Sequence, residues 1–380
     1  MTYDKKSGDD HRPNLPPSSG EQLAALRILD ANFNRVSEGL RVVEEYCRFA
    51  LEDRHLAQTT KEIRHDIGHL AAGISPETLA KARETLRDVG TGVTLGSEKT
   101  RAGILDVVIA STKRVEQSLR AIEEYAKLGY PQLSAAAKQL RYRAYTLARA
   151  MLLTDHHRQQ MAKRQLYVLI DGRASDAEFT SLVRMLVEAR VDVLQLRDKR
   201  LTDRQLLEKA QLLKSLVEQF APAGAEETAE RPLLVMNDRP DLALLARLDG
   251  VHVGQDELPV DAARKIVGPE MLVGVSTHSI EQARQAVLDG ASYIGCGPVF
   301  PSNTKQFGSF VGTEFLAQVA AEIQLPAFAI GGITLENLPQ VTAAGFSRVA
   351  VSAAVSSAAD PATAARLLKT ELLAAAARQA

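Results

Sequence analysis

Cysteine is scarce in this chain. Cys47 and Cys296 are the only two in 380 residues, and they lie far apart. No Cys or Cys/His spacing of the metal-binding kind is present, so neither a structural zinc site nor a disulfide framework is encoded. An excess of one charge is missing too: 46 Lys+Arg stand against 47 Asp+Glu, a formal net charge of −1. No global field draws nucleic acid or an anionic membrane, and any anion site must be local. No run of about 18 apolar residues occurs, which argues against a helical membrane span. The opening MTYDKKSGDDHRPNLPPSSG lacks the apolar centre of a signal peptide and reads as a disordered polar tail over residues 1–20. The expectation is a cytoplasmic protein with buried, reduced thiols. Its partners are then small molecules rather than nucleic acid or membrane, with a homo-oligomer left open.

Apolar material is ample, at 45% hydrophobic and 24% charged residues. At roughly 100–200 residues per domain the length suits two domains, one of them large enough for a barrel of about 200–250 residues. The character of the chain changes near residue 160. Residues 21–160 read as an all-α domain of about five or six helices. Leu23, Leu26, Leu29, Phe33, Val36, Leu40, Val43 and Tyr46 fall on one helical stripe. Ser75-Pro76-Glu77 is a helix start, with an N-cap hydroxyl and Pro in the first turn.

This half contains an internal repeat. Asn34 to Tyr46 matches Lys113 to Tyr125, with Arg114 following Arg35 by 79 residues and Arg120 following Arg41 by 79. Arg35, Glu38, Arg41, Glu44 and Glu45 in one copy answer to Arg114, Gln117, Arg120, Glu123 and Glu124 in the other. One reading is surface ion pairing at helical spacing. The other is an anion-binding cleft between the two repeat helices, closed by the loop from Arg87 to Gly92. No G-x-x-x-x-G-K-[ST] occurs, so a P-loop is excluded.

Residues 161–380 alternate between β-rich runs and helical runs. The strands are QLYVLI, VDVLQL, PLLVMN, GVHVG, MLVGVS, YIGCGPVF, AFAIGG and RVAVS. Seven helical segments lie between them and one follows. Eight strand–helix units predict a (β/α)8 TIM barrel, an α/β fold. A doubly wound sheet does not require eight, and no G-x-G-x-x-G follows the first strand.

Reacting groups of such barrels sit at the C-terminal strand ends. At the second strand, alternation sends Gln195, Arg197 and Lys199 to one face, suited to a polyphosphate on a hydrogen-bonding ring. Asn237-Asp238 ends the third strand, and Asp256-Glu257 follows the fourth. Carboxylates on adjacent strand ends can share Mg2+. His252 and His278 read as packing or supporting groups. Ser302-Asn303-Thr304-Lys305 after the sixth strand has the character of an anion-binding loop. Gly331-Gly332 after the seventh strand and Ser352-Ala353 after the eighth let backbone N–H groups approach a phosphate. No covalent nucleophile is evident. The mouth thus holds two anions, one a metal-bound diphosphate and one a monophosphate.

In this order, QLRDK, MND, HVGQDELP, GVSTH, YIGCGPVFPSNTK, AIGGIT and RVAVSA resemble the thiamine phosphate synthase family across the barrel. The resemblance implies a pyrimidine diphosphate and a thiazole phosphate as substrates and Mg2+ as cofactor. The pyrimidine diphosphate would contact Gln195, Arg197, Lys199, Asn237, Ser276 and Lys305, with Arg197, Lys199, Ser276 and Lys305 as the catalytic set. The thiazole phosphate would rest on Ser302, Asn303, Thr304, Gly332 and the backbone of Ser352 and Ala353. Asp238 would hold the metal with a second carboxylate. The family pattern H-x-G-Q-x-D puts Glu257 where its Asp stands and Asp256 one position earlier, so either can serve. At the eighth strand the hydroxyl of Ser352 is shifted by one residue from the family pattern. The implied reaction is dissociative: diphosphate leaves and the thiazole nitrogen attacks. The related thiazole tautomerases need neither diphosphate nor metal, and the carboxylates, Arg197 and Lys305 argue against that branch. DANFNRVSEGLRVVEEYCRF, KEIRH and RDVGT make the helical half similar to the domain fused to some of these synthases. That domain is associated with phosphorylating hydroxymethylpyrimidine phosphate. A non-catalytic dimerisation bundle is the rival reading.

Overall fold

A computed structural model describes residues 18–85, 88–89, 100–221, 231–301 and 310–379. Contacts divide the chain into two compact units. One takes the described part of Met1–Tyr46 with Thr59–Tyr145, and the other takes Cys47–Gln58 with Thr146–Ala380. The division therefore falls earlier than the change of composition near residue 160.

The first unit draws on α1 (Ser19–Phe49), α2 (Arg54–Ala71), α3 (Pro76–Ala82), α4 (Ile104–Tyr125) and α5 (Pro131–Gln160). Helix α1 begins within the stretch read as tail. The predicted stripe is buried from Leu29 to Tyr46, while Leu23 at the first turns is 49% exposed. Ser75 caps α3 as expected, accepting the Thr78 amide at 3.2 Å. The repeated helices α1 and α4 pack directly on each other. A Cβ at Gly39 would lie 2.6 Å from Val115 Cγ2 and 3.2 Å from the Ser111 carbonyl. Only glycine permits that approach.

The repeat extends into the following helices. Lys61-Glu62-Ile63-Arg64 of α2 reappears as Lys138-Gln139-Leu140-Arg141 of α5, now 77 residues on (141 − 64). In each copy the α-helical Glu of the first helix is buried and pairs with the Arg of the second. Glu44 meets Arg64 at 2.9 Å, and Glu123 meets Arg141 at 2.8 Å. Beside these buried carboxylates, the surface pairs that the spacing predicts form too: Arg41–Glu45, Arg120–Glu123 and Arg120–Glu124, each at 2.9 Å.

The second unit is a closed barrel of eight parallel strands in sequence order. They are β1 (Leu166–Ile170), β2 (Val193–Leu196), β3 (Leu233–Asn237), β4 (Gly250–Val253), β5 (Leu272–Thr277), β6 (Tyr293–Cys296), β7 (Ala327–Ile330) and β8 (Val349–Val351). One α-helix joins each successive pair: α6 (Asp176–Glu188), α7 (Asp203–Phe220), α8 (Pro240–Leu245), α9 (Val260–Val267), α10 (Ile280–Asp289), α11 (Gly312–Glu322) and α12 (Leu338–Ala343). Two helices follow β8, α13 (Ala353–Ser356) and α14 (Pro361–Gln379). The short α13 stands where the sequence predicts only a small-residue turn.

Alternation fills the barrel with Tyr167, Val193, Leu233, Val235, Leu272, Tyr293, Phe328 and Ala350, and Met161 joins them. Tyr167, Tyr293 and Phe328 meet edge to face, with ring centroids 5.4–6.0 Å apart. The lower rim is tied by polar side chains that stand one residue before the even strands. Asp192 accepts the Gln165 and Leu166 amides at 3.0 and 2.9 Å. Asp249 accepts the Leu234 amide at 2.7 Å, and Ser292 the Val273 amide at 3.0 Å. Each meets a cationic side chain as well: Lys369, Arg231 and Arg264 in turn.

Asp192→Ala strips two buried amides and Lys369 of their acceptor. Urea unfolding of the variant is expected to show a loss of about 3 kcal/mol, with Asp192→Asn losing less. Equal stability of Asp192→Ala and the parent would contradict this account of the rim.

Candidate active site

The polar side chains predicted at strand ends gather at the C-terminal mouth. On β2, Val193 points into the packed interior and Gln195 follows it one layer higher, 3% exposed. Its Nε2 donates to Asn237 Oδ1 on β3 at 2.9 Å. The two amides fix each other and leave one acceptor, Gln195 Oε1, and one donor group, Asn237 Nδ2, for a ligand.

Arg197 and Lys199 follow β2, and the intervening Asp198 turns away from the mouth. Asp198 is buried and accepts the Gly172 amide at 3.0 Å and the Arg200 amide at 2.9 Å. The Arg200 guanidinium closes on it at 2.6 Å and holds its carboxyl well below the usual carboxylate range. Its role is to pin the loop that carries the two mouth cations, which sequence alone did not reveal. The half-buried Arg197 side chain has no hydrogen bond or ion pair among the described residues.

Lys199 Nζ lies 3.4 Å from Asp238 Oδ2 and 4.0 Å from Glu257 Oε1. Thus carboxylates from the ends of β3 and β4 converge on one ammonium. Asp238 has φ 62°, a left-handed conformation that Asp tolerates better than most residues and that turns the chain just past β3. Asp256 is exposed and forms no ion pair among the described residues. No group of three or more His, Cys, Asp or Glu positioned to hold a metal ion occurs among the described residues. A cation at the mouth would have two protein carboxylates and would complete its shell from ligand and water.

Ser276 on β5 sits over a buried string of hydrogen bonds. Its Oγ is 3.0 Å from His252 Nε2, and His252 Nδ1 is 3.3 Å from the Tyr293 hydroxyl. Tyr293 and Tyr167 share a hydroxyl–hydroxyl bond of 3.0 Å. Burial pulls the His252 imidazole down to about 4, so it is neutral at physiological pH. Burial also raises the Tyr293 phenol. His252 thus has the supporting place that the sequence suggests, whereas Tyr293 was missed as its partner, although the period-2 pattern of β6 sends it inward. His278 supports the β6 end by bonding to the Gly297 carbonyl.

The ends of β6 and β7 run together beyond the sheet. Val299 N donates to Ile330 O and Phe300 N to Gly331 O, both at 3.0 Å. Gly332 has φ 65°, and a Cβ there would lie 2.4 Å from the Pro301 carbonyl. Glycine is required on both counts. Ser352 follows β8 and Ala353 opens α13, whose helical bonds start from Val355 N and Ser356 N to Ser352 O. The Ala353 and Ala354 amides are therefore not used by the helix. Ser302, Asn303, Thr304 and Lys305 lie outside the described residues.

In the helical unit, α1 and α4 are in tight contact at Gly39, and Arg87 and Gly90 to Gly92 of the loop expected to close a cleft between them lie outside the described residues. An open cavity of about 680 Å3 lies against α1 and α2, lined by Ser37, Glu38, Arg41, Arg64, His65 and Gly68.

Residues 166–355 match the family described as thiamine monophosphate synthase, and residues 27–150 match the ThiD2 family. A thiamine-phosphate synthase of Rhodopirellula baltica is 44% identical over 348 residues, covering 89% of this chain and 90% of that protein. One from Gloeobacter violaceus is 40% identical over 341 residues, covering 90% of this chain and 95% of that protein. Among solved structures, a thiamine phosphate pyrophosphorylase from Pyrococcus furiosus is 30% identical with a TM-score of 0.48. It covers 56% of this chain and 96% of that one.

The buried His252 generates a pH prediction. Its folded value of about 4 lies below the roughly 6.5 of an unfolded histidine. The unfolded chain therefore takes up the proton first, and stability falls as pH drops from about 6.5 to about 4. His157, also pulled down to about 4 by burial, adds a decline in the same window. Thermal melts of the parent and His252→Gln across that window should show a shallower decline for the variant. Parallel curves would mean that the imidazole is not buried neutral.

Proposed function

The chain belongs to the thiamine-phosphate synthase family, and from that membership we propose that its barrel joins hydroxymethylpyrimidine diphosphate to a thiazole phosphate. The bond between the pyrimidine methylene and the diphosphate oxygen breaks, and its electron pair leaves with the diphosphate. A bond from the thiazole nitrogen to that methylene forms. The products are thiamine phosphate and diphosphate. The observation that carries the reading is the convergence at one mouth of Lys199 and its two carboxylates Asp238 and Glu257, with Arg197 two residues before Lys199.

The amide pair Gln195–Asn237 offers an acceptor and a donor to the polar edge of the aminopyrimidine. Arg197 and Lys199 stabilise negative charge as it builds on the departing diphosphate. Ser276, oriented by neutral His252, adds a hydroxyl without adding charge. Lys305 completes this set on sequence grounds. The glycine pair after β7 and the backbone of Ser352 and Ala353 suit the thiazole phosphate, with the Ala354 amide and Ser302, Asn303 and Thr304 proposed beside them. No protein nucleophile is required, and burial pushes the Cys296 thiol up to about 12, out of reach of such a role.

The donor set fits Mg2+, since two hard carboxylates already share one cation, the Lys199 ammonium. Asp238 and Glu257 would hold the ion. When bound, it supplies further neutralisation of the diphosphate oxygens.

The helical unit is proposed to phosphorylate hydroxymethylpyrimidine monophosphate, making the diphosphate that the barrel consumes. Support comes from the ThiD2 match over residues 27–150 and from the chemical continuity of the two steps. We place both steps in the cytoplasm, in keeping with two buried free thiols and with no described helix long and apolar enough to cross a membrane.

The test uses full-length protein with Mg2+ and thiazole phosphate. One tube receives pre-made pyrimidine diphosphate, and the other receives the monophosphate with ATP. Thiamine phosphate, followed by mass spectrometry, is expected in both. Product from the diphosphate alone would remove the kinase role, and product in neither would sink the synthase reading. Arg197→Met should lower kcat in the first tube by about 100-fold or more. Undiminished turnover would remove Arg197 from the site.

A further inference from the structure

The two copies of the helix pair in the helical unit differ in what surrounds the arginine of the second helix. In the second copy, Arg141 spends its whole guanidinium inside the protein. Nε and Nη2 go to Glu123 at 2.8 Å, and Nη1 donates to the Tyr145 hydroxyl at 3.3 Å. The Tyr142 and Tyr145 rings lie over it, with centroids 4.8 and 5.5 Å from Cζ. The side chain is left 10% exposed.

In the first copy, Arg64 repeats the pairing through Nε and Nη2, with Glu44 at 3.0 and 2.9 Å. The tyrosines are gone. By the 77-residue offset, His65 stands for Tyr142 and Gly68 for Tyr145. Nη1 of Arg64 has no partner among the described residues, and the side chain is 31% exposed. It lines the 680 Å3 cavity, a volume within the roughly 300–1,000 Å3 of small-molecule sites.

The other lining groups define a ligand. Among the described residues Arg41 is held by an exposed i, i+4 pair with Glu45 at 2.9 Å, a bond weak enough for an incoming anion to displace. His65 can donate, and its Nε2 lies 2.9 Å from His69 Nε2. Glu38 and Ser37 offer acceptors on the opposite helix. Two guanidinium groups and an imidazole suit a phosphate. A carboxylate and a hydroxyl suit the amino and ring nitrogens of a polar heterocycle.

We propose that this cavity on α1 and α2 is the seat of a phosphorylated aminopyrimidine. It rests on the kinase reading of the helical unit and names its substrate site. The phosphate takes the unused donors of Arg64 and Arg41, in the position that the Tyr145 hydroxyl fills in the other copy.

Gly68→Tyr restores the tyrosine of the second copy and should close the site. A Cβ at Gly68 meets nothing within 4 Å, so the helix has room for the substitution. Full-length parent and variant are titrated with hydroxymethylpyrimidine monophosphate by calorimetry. Both are assayed by phosphorus NMR for ATP-dependent diphosphate formation, and for thiamine phosphate from pre-made diphosphate. The variant is expected to lose binding and conversion by about 10-fold or more while keeping the barrel reaction. Arg41→Ala, a surface change, is expected to weaken binding several-fold and guards against a misfolded Gly68→Tyr. Conversion undiminished in both variants would overturn the seat and leave the kinase reading intact. Binding that the variants lose, without conversion in the parent, would support the seat and remove the kinase. A parent that neither binds nor converts would overturn both.

Discussion

The Tyr293 hydroxyl bonds to Tyr167 on one side and to His252 on the other, and this string divides the barrel interior in two. Below it the inward residues are apolar and closely packed. Above it they are Gln195, Asn237, Ser276 and the groups of the mouth. A buried imidazole and two buried phenols would each be costly alone. Joined in series they satisfy one another and present Ser276 at the top with its orientation set. The polar layer of the mouth therefore stands on a neutral, hydrogen-bonded floor.

The opposite end of the barrel solves a different problem. Strand starts leave amides with no partner in the sheet, and Asp192, Asp249 and Ser292 accept them from below. Each acceptor is neutralised or supported by a cation from outside the barrel wall. Charge at the N-terminal rim is thus consumed by the backbone, while charge at the C-terminal rim is left for ligands. Asp198 shows the same economy within one loop. It anchors Arg200 and two amides, while Lys199 on the far side turns to the carboxylates of the mouth.

Much of this was legible in the sequence for a physical reason. Parallel strands buried on both faces appear as continuous apolar runs, and the first polar inward residue marks the mouth. Gln195 and Asn237 stand out that way, Ser276 came only from the family resemblance, and the eight strands fall within a few residues of their expected bounds. Relations that closure creates were not legible. Tyr167 and Tyr293 are 126 residues apart and meet only because β1 and β6 share one interior. Glu44 and Glu123 have the spacing of surface charges, and only the Arg on the next helix of each copy shows that they are buried. That second half of the repeat was hidden because its offset is 77 residues rather than 79, a slip of two between the helices.

The duplicated helix pair has a consequence for how the helical unit can change. When one protein holds two copies of a motif, the work of holding the fold and the work of meeting a ligand need not fall on the same residues. The α4–α5 copy has closed its arginine beneath two tyrosines and has become scaffold. The α1–α2 copy is released from that duty, and its surface positions can vary without loosening the unit. Drift should therefore be resisted on the Tyr142–Tyr145 side, where it would cost the fold, and be tolerated on the His65–Gly68 side, where under the proposed seat it would alter what is recognised.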